Sequence, residues 1–171
     1  PPPATDSGGI FDYLRGELAD FDCSVSDHGA GAVSLLARRG RPGHLFNVHL
    51  DTVPDSPGWS ASPFELRVDG EYATGLGACD IKGAAAAMLA AAQASNGDAA
   101  FLFTSDEEAN DARCIAAFLE RFPLRDSPFP NVIVAEPTGC EAVLAHRGIS
   151  SVRMRFAGRA GHASAEQALG V

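Results

Sequence analysis

Ala99-Ala100-Phe101-Leu102-Phe103-Thr104-Ser105 runs without a charge into Asp106-Glu107-Glu108. An apolar run of that length reads as a central strand. Three successive carboxylates at its C-terminal end repel one another unless something positive neutralises them. The pattern recurs along the chain: Leu45-Phe46-Asn47-Val48 leads into His49-Leu50-Asp51, Gly75-Leu76-Gly77-Ala78-Cys79 into Asp80, and Val132-Ile133-Val134-Ala135 into Glu136. Taken singly, an acid after a strand is most often a helix cap or a solvated loop residue. Ligand-type groups at the ends of four separate apolar segments suit a divalent cation instead, because the loops of an open α/β sheet converge at the carboxyl ends of its strands.

Outward from that stretch, the pattern of elements sets the fold class. Ile10, Phe11, Leu14 and Leu18 recur at helical spacing within Gly9 to Ala19. Cys23 to Ser26 and Ala32 to Ala37 alternate as strands, and the Gly- and Pro-rich turn Arg38 to Gly43 precedes a strand over Leu45 to Val48. Asp69-Gly70 between Phe64–Val68 and Glu71–Thr74 predicts a hairpin. Lys82 to Ser95 is an alanine-rich helix ended by Asn96-Gly97, and Asp111 to Phe122 is a second, with Asp111 the candidate N-cap. Strand and helix alternate from residue 45 to 135, which predicts an α/β fold: a largely parallel sheet flanked by helices on both faces. Glu141 to His146 and Ile149 to Phe156 read as strands with no helix between them. The chain thus changes style near Arg147-Gly148, which reads as a domain boundary between residues 1–147 and residues 148–171.

The 171 residues suffice for one domain with a core. Their 22 acidic against 13 basic residues give a net charge of -9, the wrong sign for nucleic acid. No stretch reaches the roughly 18 apolar residues of a membrane span. Cys23, Cys79, Cys114 and Cys140 form no C-x-x-C pair and read as free thiols of a reducing cytoplasm.

Mixed imidazole and carboxylate ligation suits zinc, cobalt or manganese. His49 and Asp51, two apart on a strand, point to one side, so His49 can bind a metal while Asp51 holds its other ring nitrogen. Asp80 can bridge two ions about 3.5 Å apart. Glu107 and Glu108 point to opposite sides if extended, so one can ligate while the other serves as a base.

His49-Leu50-Asp51-Thr52-Val53-Pro54, Gly75 to Gly83, Ser105-Asp106-Glu107-Glu108, Glu136-Pro137-Thr138 and Gly161-His162-Ala163-Ser164 together resemble the zinc-dependent aminoacylase and carboxypeptidase family. Ile10 to Arg15 and Ala145 to Val152 look most similar to its acetylornithine and acetylcitrulline deacetylase branch. The resemblance implies an amidohydrolase that removes the acetyl group from N-acetylcitrulline or N-acetylornithine in arginine biosynthesis. Succinyl-diaminopimelate desuccinylase and a dipeptidase or carboxypeptidase are the alternatives. It implies two zinc ions per full-length subunit, with Co2+ as a possible substitute. His49 and Glu136 would hold one ion and Glu108 the other, with Asp80 bridging. The resemblance further implies that residues 1–147 are a metal-binding catalytic domain and residues 148–171 the first strands of an α+β lid domain. Glu107 would act as general base and acid, Asp51 would orient His49, and His162 would polarise the scissile carbonyl from the lid. A homodimer through the lid and a cis peptide at Asp80-Ile81 are implied as well. Members of the family run to more than twice this length. Residues 1–171 are therefore expected to be a truncated piece without turnover of its own.

Overall fold

The computed structural model describes residues 9–108, 111–145, 147–148, 150, 152–155 and 157. Strand β6 (Ala99–Thr104) lies at the centre of a five-stranded sheet because both of its faces are apolar. Successive side chains of a strand point to opposite faces. Phe101 and Phe103 accordingly enter one core with Phe11 and Leu14 of α1 (Ile10–Glu17) and Ala85 and Ala92 of α2 (Gly83–Gln93). Ala100 and Leu102 enter a second core with Leu45 and Phe129, against which Ile115 and Phe118 of α3 (Arg113–Arg121) pack. The helices therefore cover both faces, as the alternation of elements predicts.

With β1 (Asp22–Asp27), β2 (Val33–Arg39), β3 (His44–His49) and β7 (Asn131–Val134), the strand order is β1-β2-β6-β3-β7. Strands β6, β3 and β7 run parallel, while β1–β2 and β2–β6 are antiparallel, so the sheet is mixed. Its parallel half is the half that carries the chemistry-bearing residues. The short strands β4 (Arg67–Asp69) and β5 (Tyr72–Thr74) form the expected hairpin as a sheet of their own.

Two helix ends are held by side chains distant in sequence. Arg39, at the end of β2, donates to the carbonyls of Ala92 (3.2 Å), Ser95 (2.7 Å) and Gly97 (2.9 Å) at and beyond the C-terminus of α2. It also pairs with Asp20 and lies 4.4 Å over the ring of Phe21. A guanidinium there satisfies carbonyls that a helix end leaves without partners. At the start of α3 the expectation that Asp111 caps the helix fails. Asp111 accepts from Arg113 Nε at 2.6 Å, and the first-turn amide of Cys114 donates instead to Asp106 Oδ2 at 3.0 Å. The cap comes from the exit of β6 because that buried carboxylate, 2 % exposed, needs a partner more than the half-exposed Asp111 does.

The chain divides into two units, Pro1–Cys140 and Glu141–Val171. In the second, the strands expected over 141–146 and 149–156 are absent among the described residues. Val143, Leu144, Val152 and Met154 are exposed. Alternation specifies a strand only where a layer exists to bury its apolar side, and no described residue of this unit supplies one.

Candidate metal centre

The register of the parallel strands builds the centre. His49, the last residue of β3, lies opposite Thr104, the last of β6, and Asn47 lies opposite Val134, the last of β7. Leu50 N donates to Thr104 O (2.8 Å) and Ala135 N to Asn47 O (2.9 Å), so the pairing continues past the strands. Three chain exits therefore leave the same edge together, carrying His49 and Asp51, then Glu107 and Glu108, then Glu136.

Asp80 arrives by a different route from the one expected. Gly75 to Cys79 is not a strand end, because strand β5 stops at Thr74. A wide turn over Ala78–Lys82 follows and leads into α2. Asp80 sits in that turn with extended torsions (φ -116°, ψ 91°), and the Asp80-Ile81 peptide is cis, as the resemblance implies. The turn packs closely on the Thr52 side chain at Gly77, where φ is +80° and an added Cβ would lie 2.6 Å from Thr52 Cγ2. Only glycine meets both conditions.

Single ligand atoms of His49, Asp80 and Glu136 lie within 4.8 Å of one another, and so do those of His49, Glu107 and Glu108. His49 belongs to both groups. Its Nε2 faces Asp80 Oδ1 at 3.2 Å and Glu107 Oε2 at 4.0 Å. Its Nδ1 lies 3.1 Å from the main-chain carbonyl of Asp51. A carbonyl only accepts, so Nδ1 carries a proton; Nε2 donates to Asp80 in the metal-free ring and is the nitrogen left to turn a lone pair to a cation.

The electrostatics fit a cation. Burial disfavours the His49 imidazolium, but the Asp51 carboxylate and carbonyl, with Glu107, outweigh it and the pKa is pushed up to about 9. Burial, then the charges of Glu107 and Asp80, raise the pKa of Glu108. Burial raises that of Glu136 too; His49 opposes the shift, and Asp80, Glu107 and Glu108 add to it. Burial likewise acts against ionised Asp51, yet His49 and the amides of Glu108 and Glu107 hold its pKa low. One imidazole with a fixed tautomer and four crowded carboxylates form a hard, mixed N/O donor set that a divalent ion would relieve.

Every sequence-predicted site residue among the described ones thus reaches this edge: His49, Asp51, Asp80, Glu107, Glu108 and Glu136. His162 lies outside the described residues. Asp106, the first of the three acids, turns away from the centre to cap α3. One contact went unread in the sequence. The Asp51 carboxylate accepts the amides of Glu107 (3.3 Å) and Glu108 (2.8 Å), 56 and 57 residues away. No local signal announces a side-chain-to-main-chain contact between two strand exits.

Residues 45–163 match peptidase family M20/M25/M40, and the chain belongs to that family. It is 69 % identical, over 94 % of its length, to an N-acetyl-L-citrulline deacetylase of Xanthomonas campestris pv. campestris, of which it covers 43 %. It is 33 % identical to a succinyl-diaminopimelate desuccinylase of Sphingopyxis alaskensis over 94 % of the chain and 46 % of that protein. The chain thus spans less than half the length of these relatives. Among solved structures, human carnosine dipeptidase 1 superposes with a TM-score of 0.61 over 72 % of this chain and 31 % of that one, at 21 % identity, a likeness of fold.

Proposed function

We propose that this chain is part of a metal-dependent amidohydrolase that removes the acetyl group from an N-acetyl amino acid, N-acetylcitrulline before N-acetylornithine. The observation that carries the substrate is the 69 % identity with an N-acetyl-L-citrulline deacetylase across nearly the whole chain. Desuccinylases stand at 33 % and are the second reading. That reaction would belong to arginine biosynthesis. Its four free cysteines and its charge accord with a cytoplasmic protein acting on a small molecule rather than on nucleic acid. A homodimer would be built by the portion that the longer relatives have in addition.

Zinc is the proposed metal, two ions per full-length subunit, with cobalt a workable substitute. His49 and Glu136 would hold one ion, Glu108 the other, and Asp80 both. A divalent ion there supplies Lewis acidity, polarising the acyl carbonyl and making water more acidic. The chain's own residues do the rest. Glu107 is 57 % exposed and lies against His49 without the packing that fixes a structural acid. It would take a proton from water as the C–O bond forms at the acyl carbon, then return it to the amine as the C–N bond breaks. Asp51 would keep His49 and the acidic turn in place, and His162 would polarise the carbonyl.

The test is a hydrolysis screen with zinc or cobalt, using a chain of the relatives' full length that carries this segment. N-acetylcitrulline should give the highest kcat/KM. A preference for N-succinyl-diaminopimelate would overturn the assignment in favour of the desuccinylases.

A further inference from the structure

Asp51 is the point where the two halves of the centre meet, and its contacts divide in an informative way. The ring of His49 is held by the main-chain carbonyl of Asp51 at 3.1 Å, while the nearer carboxylate oxygen lies 3.6 Å from the same nitrogen. That carboxylate, 5 % exposed, reaches across to β6, where Oδ2 accepts Glu108 N at 2.8 Å and Oδ1 accepts Glu107 N at 3.3 Å. A carbonyl is present whatever side chain residue 51 carries. The two amide anchors exist only with a carboxylate.

We infer that the Asp51 carboxylate is a positioning residue for the Glu107–Glu108 turn, and through it for the second metal ion, rather than chiefly a clamp on the His49 ring. The turn needs an anchor. Glu107 is exposed and Glu108 half-buried, so packing does little to aim them. Their carboxylates crowd His49 beside that of Asp80, and like charges so placed favour opening of the turn. Two charge-assisted bonds from consecutive amides to one buried carboxylate oppose that opening. Asparagine cannot replace them. Its carbonyl accepts one amide, and its NH2 group then faces the other, donor against donor. The ring of His49 keeps its carbonyl partner throughout.

The assignment to the second ion rests on the proposed metal centre; the assignment to the turn does not. The experiment therefore has two arms, both on a chain of the relatives' full length. In the first, zinc binding by Asp51→Asn is titrated beside Glu108→Gln and Glu136→Gln. Asp51→Asn should behave like Glu108→Gln: the first ion binds as in the wild type and the second binds roughly 10–100-fold more weakly. Loss of the first ion, as in Glu136→Gln, would overturn the inference, and so would unchanged binding of both. In the second arm, amide hydrogen exchange is followed in the metal-free protein. The Glu107 and Glu108 amides should be protected in the wild type despite their place in a surface turn, and should exchange faster in Asp51→Asn. Free exchange of both amides in the wild type would overturn the inference even if the variant does not fold. If the wild type binds no zinc but protects these amides, the metal reading fails and the positioning role stands.

Discussion

Strands β6 and β7 begin from the same kind of sequence and end in different environments. Each is an uncharged apolar run that delivers carboxylates to the edge of the sheet. In β6 the residues Ala100 to Thr104 are all buried, with β2 on one side, β3 on the other and helices on both faces. In β7, Val132, Ile133 and Val134 are 51 %, 45 % and 57 % exposed, on a strand that among the described residues pairs with β3 alone. The lesson is that an apolar run specifies a strand and its register, while burial depends on what the rest of the fold lays beside it. The metal centre needs only the register from β7. It needs from β6 a rigid exit, which Ser105, Asp106 and Asp51 supply. Ser105 Oγ accepts Val33 N at 2.9 Å, Asp106 accepts Cys114 N, and Asp51 accepts the next two amides.

The largest effect should come from the acid that the β6 exit aims. Glu107→Gln in the full-length protein should lower kcat roughly 10²–10⁴-fold, the usual worth of the general base proposed for it, while metal content is unchanged. Metal analysis beside steady-state kinetics decides it, since loss of an ion would make Glu107 a ligand. Next is the core contrast itself. Phe103→Ala removes a fully buried ring from β6 and should cost about 3–5 kcal/mol in urea unfolding, whereas Ile133→Ala in β7 should cost about 1 kcal/mol or less. Equal costs would mean that β7 is covered in solution.

Arg39→Met tests how far rigidity at β6 depends on its neighbour β2. It frees three carbonyls at the end of α2 and the Phe21 face, and should cost about 2 kcal/mol. An unfolding midpoint equal to that of the wild type would show that water replaces the guanidinium without loss.

The smallest effect contrasts two cysteines. Burial pushes the Cys114 thiol up to about 12, and the neighbouring Asp106 adds to the shift, whereas Cys140, after β7, is exposed. The folded pKa lies above the unfolded value near 9, so the neutral thiol favours the fold below pH 9. That contribution is lost as pH rises from 9 towards 12. Iodoacetamide at pH 8 should label Cys140 and leave Cys114 untouched until denaturant is added, read by peptide mass spectrometry.

Much of this was legible in the residues. Period-two and period-3.6 patterns are local, so β3, β6, β7 and the three helices could be read directly, as could the acids and the histidine that follow the strands. The motifs from His49 to Glu136 also carried the family likeness, the cis peptide at Asp80-Ile81 included. Three features resisted. Asp80 sits in a turn entering α2, because an apolar run of five residues rich in glycine does not distinguish strand from turn. Asp111 was the cap expected for α3, yet the first-turn amide of Cys114 donates to the buried Asp106, which no local pattern singles out. The alternation after Glu141 produced no strand among the described residues, where its apolar side chains stand exposed.

The sequence by itself determined the elements, their order and the list of ligand-type residues, because each depends on backbone propensity and side-chain period over a few neighbours. Only the tertiary structure decided which of those residues share a point in space. Parallel pairing of β3 with β6 and β7 brings three chain exits to one edge, and the carboxylate of Asp51 joins two of them across 56 residues of sequence. Such contacts are paid for in loop-closure entropy and repaid only by the packed sheet as a whole, so no local stretch of the chain announces them.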